Sequence, residues 1–144
     1  MLADDVIRRL KEEVGTLENR VEGAASLVQL MQQNQLPQHT PAANVISSGL
    51  AGGAPDAGAG LFRQAFDETI AVFLTFRNVQ GTGARALDLF DAVRTEVIHA
   101  LCGWAPEGVT GVFRLVRGQV VNMAAGTLIY QIDFAIGDQL RIET

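Results

Sequence analysis

Apolar residues recur at two different periods along this chain, and the changes of period mark out its elements. Leu2, Val6, Ile7, Leu10 and Val14 stand three or four apart, which sets them along one side of an amphipathic helix over 2–14. Asp4 and Asp5 fall in its first turn, where carboxylates favour the helix dipole, and Gly15 offers a stop. A second short helix is predicted over 24–33, with Leu27, Leu30 and Met31 turned inward, and the two prolines of 34–41 end it.

Residues 42–48 (AANVISS) read as a short strand. The following stretch, GLAGGAPDAGAG at 49–60, is built almost wholly from glycine, alanine and proline. It has little side chain to pack and much backbone entropy to lose, so a mobile loop, or one ordered only by a partner, is predicted. Over 61–77 the period changes to two. Phe62, Phe66, Ile70, Val72, Leu74 and Phe76 share one parity, interrupted by Gln64 and Glu68 toward the loop. Arg63, Ala65, Asp67, Thr69, Ala71, Phe73, Thr75 and Arg77 share the other. Alternation puts the first set on the core and the second on an accessible face. The run is roughly three times the usual strand length. Its start, at 62–68, is therefore expected to project with the glycine loop as a hairpin arm.

Gly81-Thr82-Gly83 breaks that strand, and the longest helix is predicted over 84–103. Its buried stripe would be Ala86, Leu87, Phe90, Val93, Val97, Leu101 and Trp104. Arg85, Asp88, Asp91, Thr95, Glu96, His99 and Cys102 fall on the other side. Two more strands are predicted at 111–117 and 127–136, joined by short glycine-containing connections that imply antiparallel pairing. The element order gives an α+β (α/β) fold: a mainly antiparallel four-stranded sheet, helices packed on one face, and an extended hairpin arm or loop.

Composition narrows what such a domain does. The chain has 144 residues, enough for one ordinary domain, and 48% of them are apolar, which argues against disorder. Its net charge of −5 is the opposite of what phosphate neutralisation requires, so tight nucleic-acid binding is disfavoured. No apolar run reaches the ~18 residues of a membrane span. Met1-Leu2-Ala3-Asp4-Asp5 lacks a secretory layout, and the single cysteine, Cys102, excludes an internal disulfide framework; synthesis in the cytoplasm is the expectation.

Three groupings carry candidate chemistry. Gly81-Thr82-Gly83-Ala84-Arg85-Ala86 matches G-x-G-x-x-A between a strand and a helix, the geometry that brings a backbone close to a pyrophosphate. The strand before it alternates apolar with charged residues instead of being buried on both faces, so a plain turn and helix start explains it better. His99 and Cys102 are three apart on a helix, but no third group orients the imidazole, and His39 lies in a distant loop. Asp67 and Asp133 share an accessible face with Arg63, Arg77 and Gln131, and Arg114 and Arg117 flank Leu115 and Val116. Carboxylates and guanidiniums mixed on one sheet face suggest a paired network or a polar subunit interface rather than acid–base catalysis.

The amphipathic helix, the segment Arg20-Val21-Glu22-Gly23-Ala24-Ala25, and Pro37-Gln38-His39-Thr40-Pro41-Ala42-Ala43-Asn44-Val45 follow one another in order. Then come the strand Glu68-Thr69-Ile70-Ala71-Val72-Phe73-Leu74, the long helix and the turn Trp104-Ala105-Pro106. The strands Val112-Phe113-Arg114-Leu115-Val116-Arg117-Gly118 and Gly126-Thr127-Leu128-Ile129-Tyr130-Gln131-Ile132-Asp133-Phe134 complete the series. Taken in this order over nearly the whole chain, they resemble the lambda-like tail terminator proteins of long-tailed phages and prophages. The resemblance implies one domain over 1–144 that forms a hexameric ring with itself on the completed tail tube. It implies that the ring stops tube polymerisation and offers the surface that joins the head-completion or connector protein. DNA would pass through the lumen without specific binding, the site of action would be the virion neck, and no enzyme activity, cofactor, metal or membrane is implied.

On that reading the 49–60 loop and the strand start supply the contacts, with Leu50, Pro55, Asp56, Leu61, Phe62, Arg63 and Asp67 as candidates. Arg77, Arg114, Arg117, Gln131 and Asp133 are the second choice, facing a neighbour or the lumen. Competing readings are another head–tail connector or neck component, a small nucleotide-binding enzyme using Gly81 and Gly83, and an oligomeric ligand-binding domain.

Overall fold

A computed structural model describes residues 2–33, 35–77, 84–124 and 126–143. Helix α1 (Leu2–Glu13) is followed by a single 3-10 turn, Gly15–Leu17, and a three-residue strand, β1 (Val21–Gly23). Helix α2 (Ala24–Gln32) leads to two long strands, β2 (Ala42–Gly58) and β3 (Leu61–Phe76). Helix α3 (Ala84–Leu101) then precedes β4 (Arg114–Ala124) and β5 (Thr127–Glu143). Among the described residues the sheet has five strands, in the order β1-β2-β3-β5-β4, rather than four. The added strand, β1, pairs parallel with β2 at only three positions, Val21 to Gly23, and is too short to show a period. The other neighbours pair antiparallel.

One face of the sheet carries the core. Ile70, Val72, Leu74 and Phe76 of β3 stand beside Phe134, Ile132, Tyr130 and Leu128 of β5, as the period-two pattern predicts. Val6, Leu10, Val14 and Leu17 pack onto them from the N-terminal segment, and Phe90, Val93, Val97, Ala100 and Leu101 from α3. Arg9 ties the two helices: its Nε donates to the Ala100 carbonyl at 2.9 Å, and its guanidinium lies 5.1 Å from the centroid of the Trp104 ring. Leu27, although buried, stands outside this cluster. Leu87 and Met31, expected inside, are exposed: from Leu87 onward α3 turns Phe90, Val93, Val97 and Leu101 to the core, and α2 buries only Leu27.

Three boundaries differ from the sequence pattern. The glycine-rich stretch is the outer half of β2, paired with β3 from Gly49↔Thr69 to Gly58↔Leu61. Ala59 and Gly60 close the hairpin with φ of 54° and 76°, the pair of positive values that two-residue turns of matching twist require. Residues 111–113 belong to no strand, because they bond back to the end of α3. Gly103 N donates to Phe113 O at 2.9 Å, Phe113 N donates to Trp104 O at 2.8 Å, and Phe113 stacks on Trp104. β4 therefore starts at Arg114 and runs on to Ala124. β5 continues past Ile136 to Glu143, with an unbroken register against β3.

Candidate assembly surfaces

The strands are unequal in reach. β4 covers β5 only from Thr127 to Ala135, and β1 covers β2 only from Ala43 to Val45. Beyond those limits β2, β3 and β5 run on together as a three-stranded arm. From Thr69 to Leu61 its central strand spans roughly 30 Å at ~3.3 Å per residue. Every residue of β2 from Ile46 outward is exposed.

A strand with so few side chains keeps its place through its neighbours. Backbone pairing to β3 holds it, and polar side chains fill the two points where its register slips, between Ser47 and Gly49 and between Gly52 and Pro55. At the first, Ser48 Oγ donates to the Thr69 carbonyl at 3.2 Å, while Ser47 Oγ donates to Glu68 Oε2 at 2.7 Å. At the second, Gln64 Nε2 donates to the Gly53 carbonyl at 2.8 Å.

The arm has two unlike faces. The face continuous with the helix-covered core carries Leu50, Phe62, Phe66, Leu140 and Ile142. Leu2 and Asp5 of α1 share a small hollow with Phe66, Glu68, Ile136 and Asp138, so helix cover reaches the arm's root. The opposite face carries Arg63, Asp67 and Arg141, with Ala65, Gly137 and Gln139 between them. Ala51, Gly53, Ala65, Asp67 and Gly137 line a shallow trough of about 550 Å³ across its root.

That second face also holds a polar row. Arg114 Nη2 donates to Asp67 Oδ2 at 3.0 Å, and Arg117 Nε donates to Asp133 Oδ2 at 3.1 Å. Gln131 Nε2 donates to Asp133 Oδ1 at 2.8 Å. Strand register explains the row: Ala135 faces Arg114, Asp133 faces Arg117, and a bulge between Leu115 and Arg117 turns both arginines to one side. Asp133 is buried, whereas Arg117 reaches solvent.

The structure thus gathers the sequence candidates into two groups and leaves one apart. Leu50, Pro55, Asp56, Leu61, Phe62 and Arg63 lie on the outer arm, and Asp67, Arg114, Arg117, Gln131 and Asp133 on the polar row. Arg77 sits at the other end of β3, where its guanidinium donates to the carbonyls of Pro37 at 2.6 Å and Leu36 at 2.9 Å. It anchors the connection between α2 and β2. Sequence reasoning missed Leu140 and Ile142, beyond its predicted end of β5, and Val120 and Met123, beyond its predicted end of β4. The alternation Gln139-Leu140-Arg141-Ile142-Glu143 was the available signal for the first pair.

Gly81, Thr82 and Gly83 lie outside the described residues. His99 is exposed on α3, and Cys102 is half-buried one residue past its end. Among the described residues no three His, Cys, Asp or Glu side chains gather as a metal site needs, and no helix is long and apolar enough to cross a membrane.

Comparison with known proteins agrees with a structural role. The family model for phage tail terminator proteins matches residues 2–144. Comparison with curated proteins gives no match. Among solved structures, the fold is similar to a chain from the virion of a native gene transfer agent particle. The TM-score is 0.53 at 14% identity, covering 96% of this chain and 95% of that one. The chain belongs to the phage tail terminator family, whose members are structural proteins of the virion tail.

Proposed function

We propose that this member of the phage tail terminator family forms a hexameric ring that caps the finished tail tube, ends tube polymerisation and presents the surface that joins the head. All of residues 1–144 act as one unit in this role. The observation that carries the reading is the family match over residues 2–144, and the projecting three-stranded arm gives it physical means. A subunit that works by contact needs surface reaching beyond its own core, and the arm supplies it on both faces. Its partners are further copies of itself, the tail tube protein and a head-completion or connector protein.

The polar row suits a wall past which DNA slides. Each guanidinium in it is already matched by a carboxylate, which leaves Arg114 and Arg117 less free to hold phosphates. With a net charge of −5 the subunit repels DNA weakly at long range, which keeps a passing duplex moving. In this arrangement no residue is called on for bond-making chemistry.

The test mixes purified protein with tail tubes assembled in vitro and images them by electron microscopy. Rings at tube ends, and tubes that no longer elongate when fresh tube protein is added, are expected. Tubes that continue to grow, with no density at their ends, would refute the capping role. Binding to head connectors without binding to tubes would assign the protein to the connector side of the neck instead.

A further inference from the structure

Exposed apolar side chains fall at two separate places on the helix side of the sheet. The first is the underside of the arm, where exposed Leu50, Leu140 and Ile142 and half-buried Phe62 follow the core parity but lie past the helices that cover the core. The second is β4. Leu115, Val120 and Met123 stand opposite Phe134, Tyr130 and Leu128 of β5, so they face the helix side, yet each is exposed. Helices cover the centre of the sheet and leave these two corners bare.

The edges of the arm differ as well. Along β2 the free edge is broken by two register slips and by Pro55, features that discourage another strand from adding. Along β5 past Asp138 the register is unbroken and proline-free, and no strand lies on its outer side among the described residues. Arg141 and Glu143 give this edge some charge as a guard, so it is the exposed apolar pair Leu140 and Ile142 on the helix side that marks a covered position. Apolar face and open edge thus meet on the same short segment, 139–143.

Building on the ring reading above, we infer that the arm underside of one subunit seats on the β4 face of the next copy of the same chain. Charge permits this occupant. The protein is acidic overall, so most contacts between two copies bring like charges together; the apolar side chains of both faces are uncharged, and the underside's carboxylates, Glu68 and Asp138, stay at the arm's root beside α1. The arginines of β4 are turned to the opposite side and paired there.

Size also fits. Three strands at ~4.8 Å spacing over roughly 30 Å give a face of about 400 Å² in plan. That is about half of the ~800 Å² per partner in a stable complex. In a head-to-tail arrangement every subunit makes the contact twice, once with each face, and an open chain leaves one face of each kind bare. Such heterologous contacts give a ring where the rotation between neighbours closes, and an open filament where it does not.

The test uses the full chain with Cys102→Ser, which removes the only native thiol. One preparation carries Ile142→Cys and a second, tagged preparation carries Val120→Cys; they are mixed, free and on tail tubes, and treated with a short bismaleimide. Crosslinks are expected between the two preparations and within neither. In parallel, mass photometry follows assembly of Leu140→Asp/Ile142→Asp and of Met123→Asp, with circular dichroism melts reporting on folding of the monomer. Each variant is expected to raise the concentration for assembly by roughly 100-fold while leaving the melt unchanged.

Crosslinking of Ile142→Cys only with itself would show arm-to-arm pairing and overturn the inference. Rings that persist while tube binding is lost would mean that the arm meets the tube protein, and would also overturn it. Assembly of both variants at the wild-type concentration would remove this contact and leave the ring reading standing. A wild-type protein that stays monomeric even on tubes would bring down both.

Discussion

The two ion pairs of the polar row have nearly the same length and different burial, so they separate the effect of solvent on one sheet face. Arg114–Asp67 closes at 3.0 Å with side-chain exposures of 55% and 46%; Arg117–Asp133 closes at 3.1 Å with 65% and 9%. At ~3 Å the gross Coulomb attraction is about 1.4 kcal/mol in water and about 5 kcal/mol at an effective dielectric constant near 20. Net values are smaller, because desolvation and side-chain ordering offset them. An exposed pair contributes about 0.2–1 kcal/mol, whereas breaking a fully buried one costs about 3–5 kcal/mol. Arg114–Asp67 belongs to the first class, and a coupling of about 0.5 kcal/mol is expected. Arg117–Asp133 lies between the classes, since its carboxylate is buried and its guanidinium is not. A coupling of about 1.5–2 kcal/mol is expected there, or about 3 °C of Tm per kcal/mol in a domain of this size. Double-mutant cycles with Arg117→Met and Asp133→Asn, and with Arg114→Met and Asp67→Asn, measure both by urea unfolding below the assembly concentration. Raising the salt to ~1 M shortens the screening length to about 3 Å, which should abolish the first coupling and leave most of the second. Couplings equal within ~0.3 kcal/mol, or equal loss in salt, would refute the idea that burial of Asp133 sets the strength of the row.

Further outcomes follow from the backbone. A Cβ at Gly111 would stand 2.3 Å from the Gly137 carbonyl oxygen, so Gly111→Ala is expected to cost about 1–3 kcal/mol in urea unfolding. At Gly118 a Cβ would meet the Tyr130 hydroxyl at 2.5 Å, and that ring packs edge-on against Phe90 at 5.1 Å. Gly118→Ala should therefore cost about 1 kcal/mol and shift the near-ultraviolet tyrosine signal as the ring moves. Ala59 holds a left-handed φ of 54°, so Ala59→Gly is expected to stabilise the hairpin by about 0.5–1 kcal/mol, read as slower amide exchange along the outer parts of β2 and β3.

What could be read from the sequence depended on whether side chains or backbone decided the outcome. The core faces of β3 and β5 were legible because apolar residues alternate there over many positions, and the polar row was legible because Asp67 and Asp133 share the other parity. The outer half of β2 was not. Its residues have low strand propensity, and their pairing comes from β3, a neighbour whose own pattern was read correctly but whose partner was not. Gly137-Asp138 looks like a turn, yet β5 passes straight through it. Gly111 lies so close to the Gly137 carbonyl that no Cβ would fit between them, and Asp138 Oδ1 accepts a hydrogen bond from Thr110 Oγ1 at 2.9 Å. Both residues answer to long-range contacts, which a local pattern does not carry.

A weak strand on the outside of the arm is consistent with the assembly role. The glycine and alanine side chains of β2 bury almost nothing, so the stability of this strand rests on hydrogen bonds to β3 and on Ser48 and Gln64 at its slips. Strands of that kind open locally at low cost. β3 and β5, by contrast, run from the buried core to the arm tip without a slip, so they carry the core's rigidity outward. The arm is therefore stiff along the two strands that hold Phe62, Leu140 and Ile142, and adaptable along the one that holds Leu50 and Pro55. In native-state hydrogen exchange of the free subunit, amides of 49–58 should exchange before those of 70–76. On assembly the greatest gain in protection should fall on 139–143, where the open edge beside Leu140 and Ile142 becomes covered. If 139–143 gained no protection in assembled particles, the inferred seat of the arm would be ruled out.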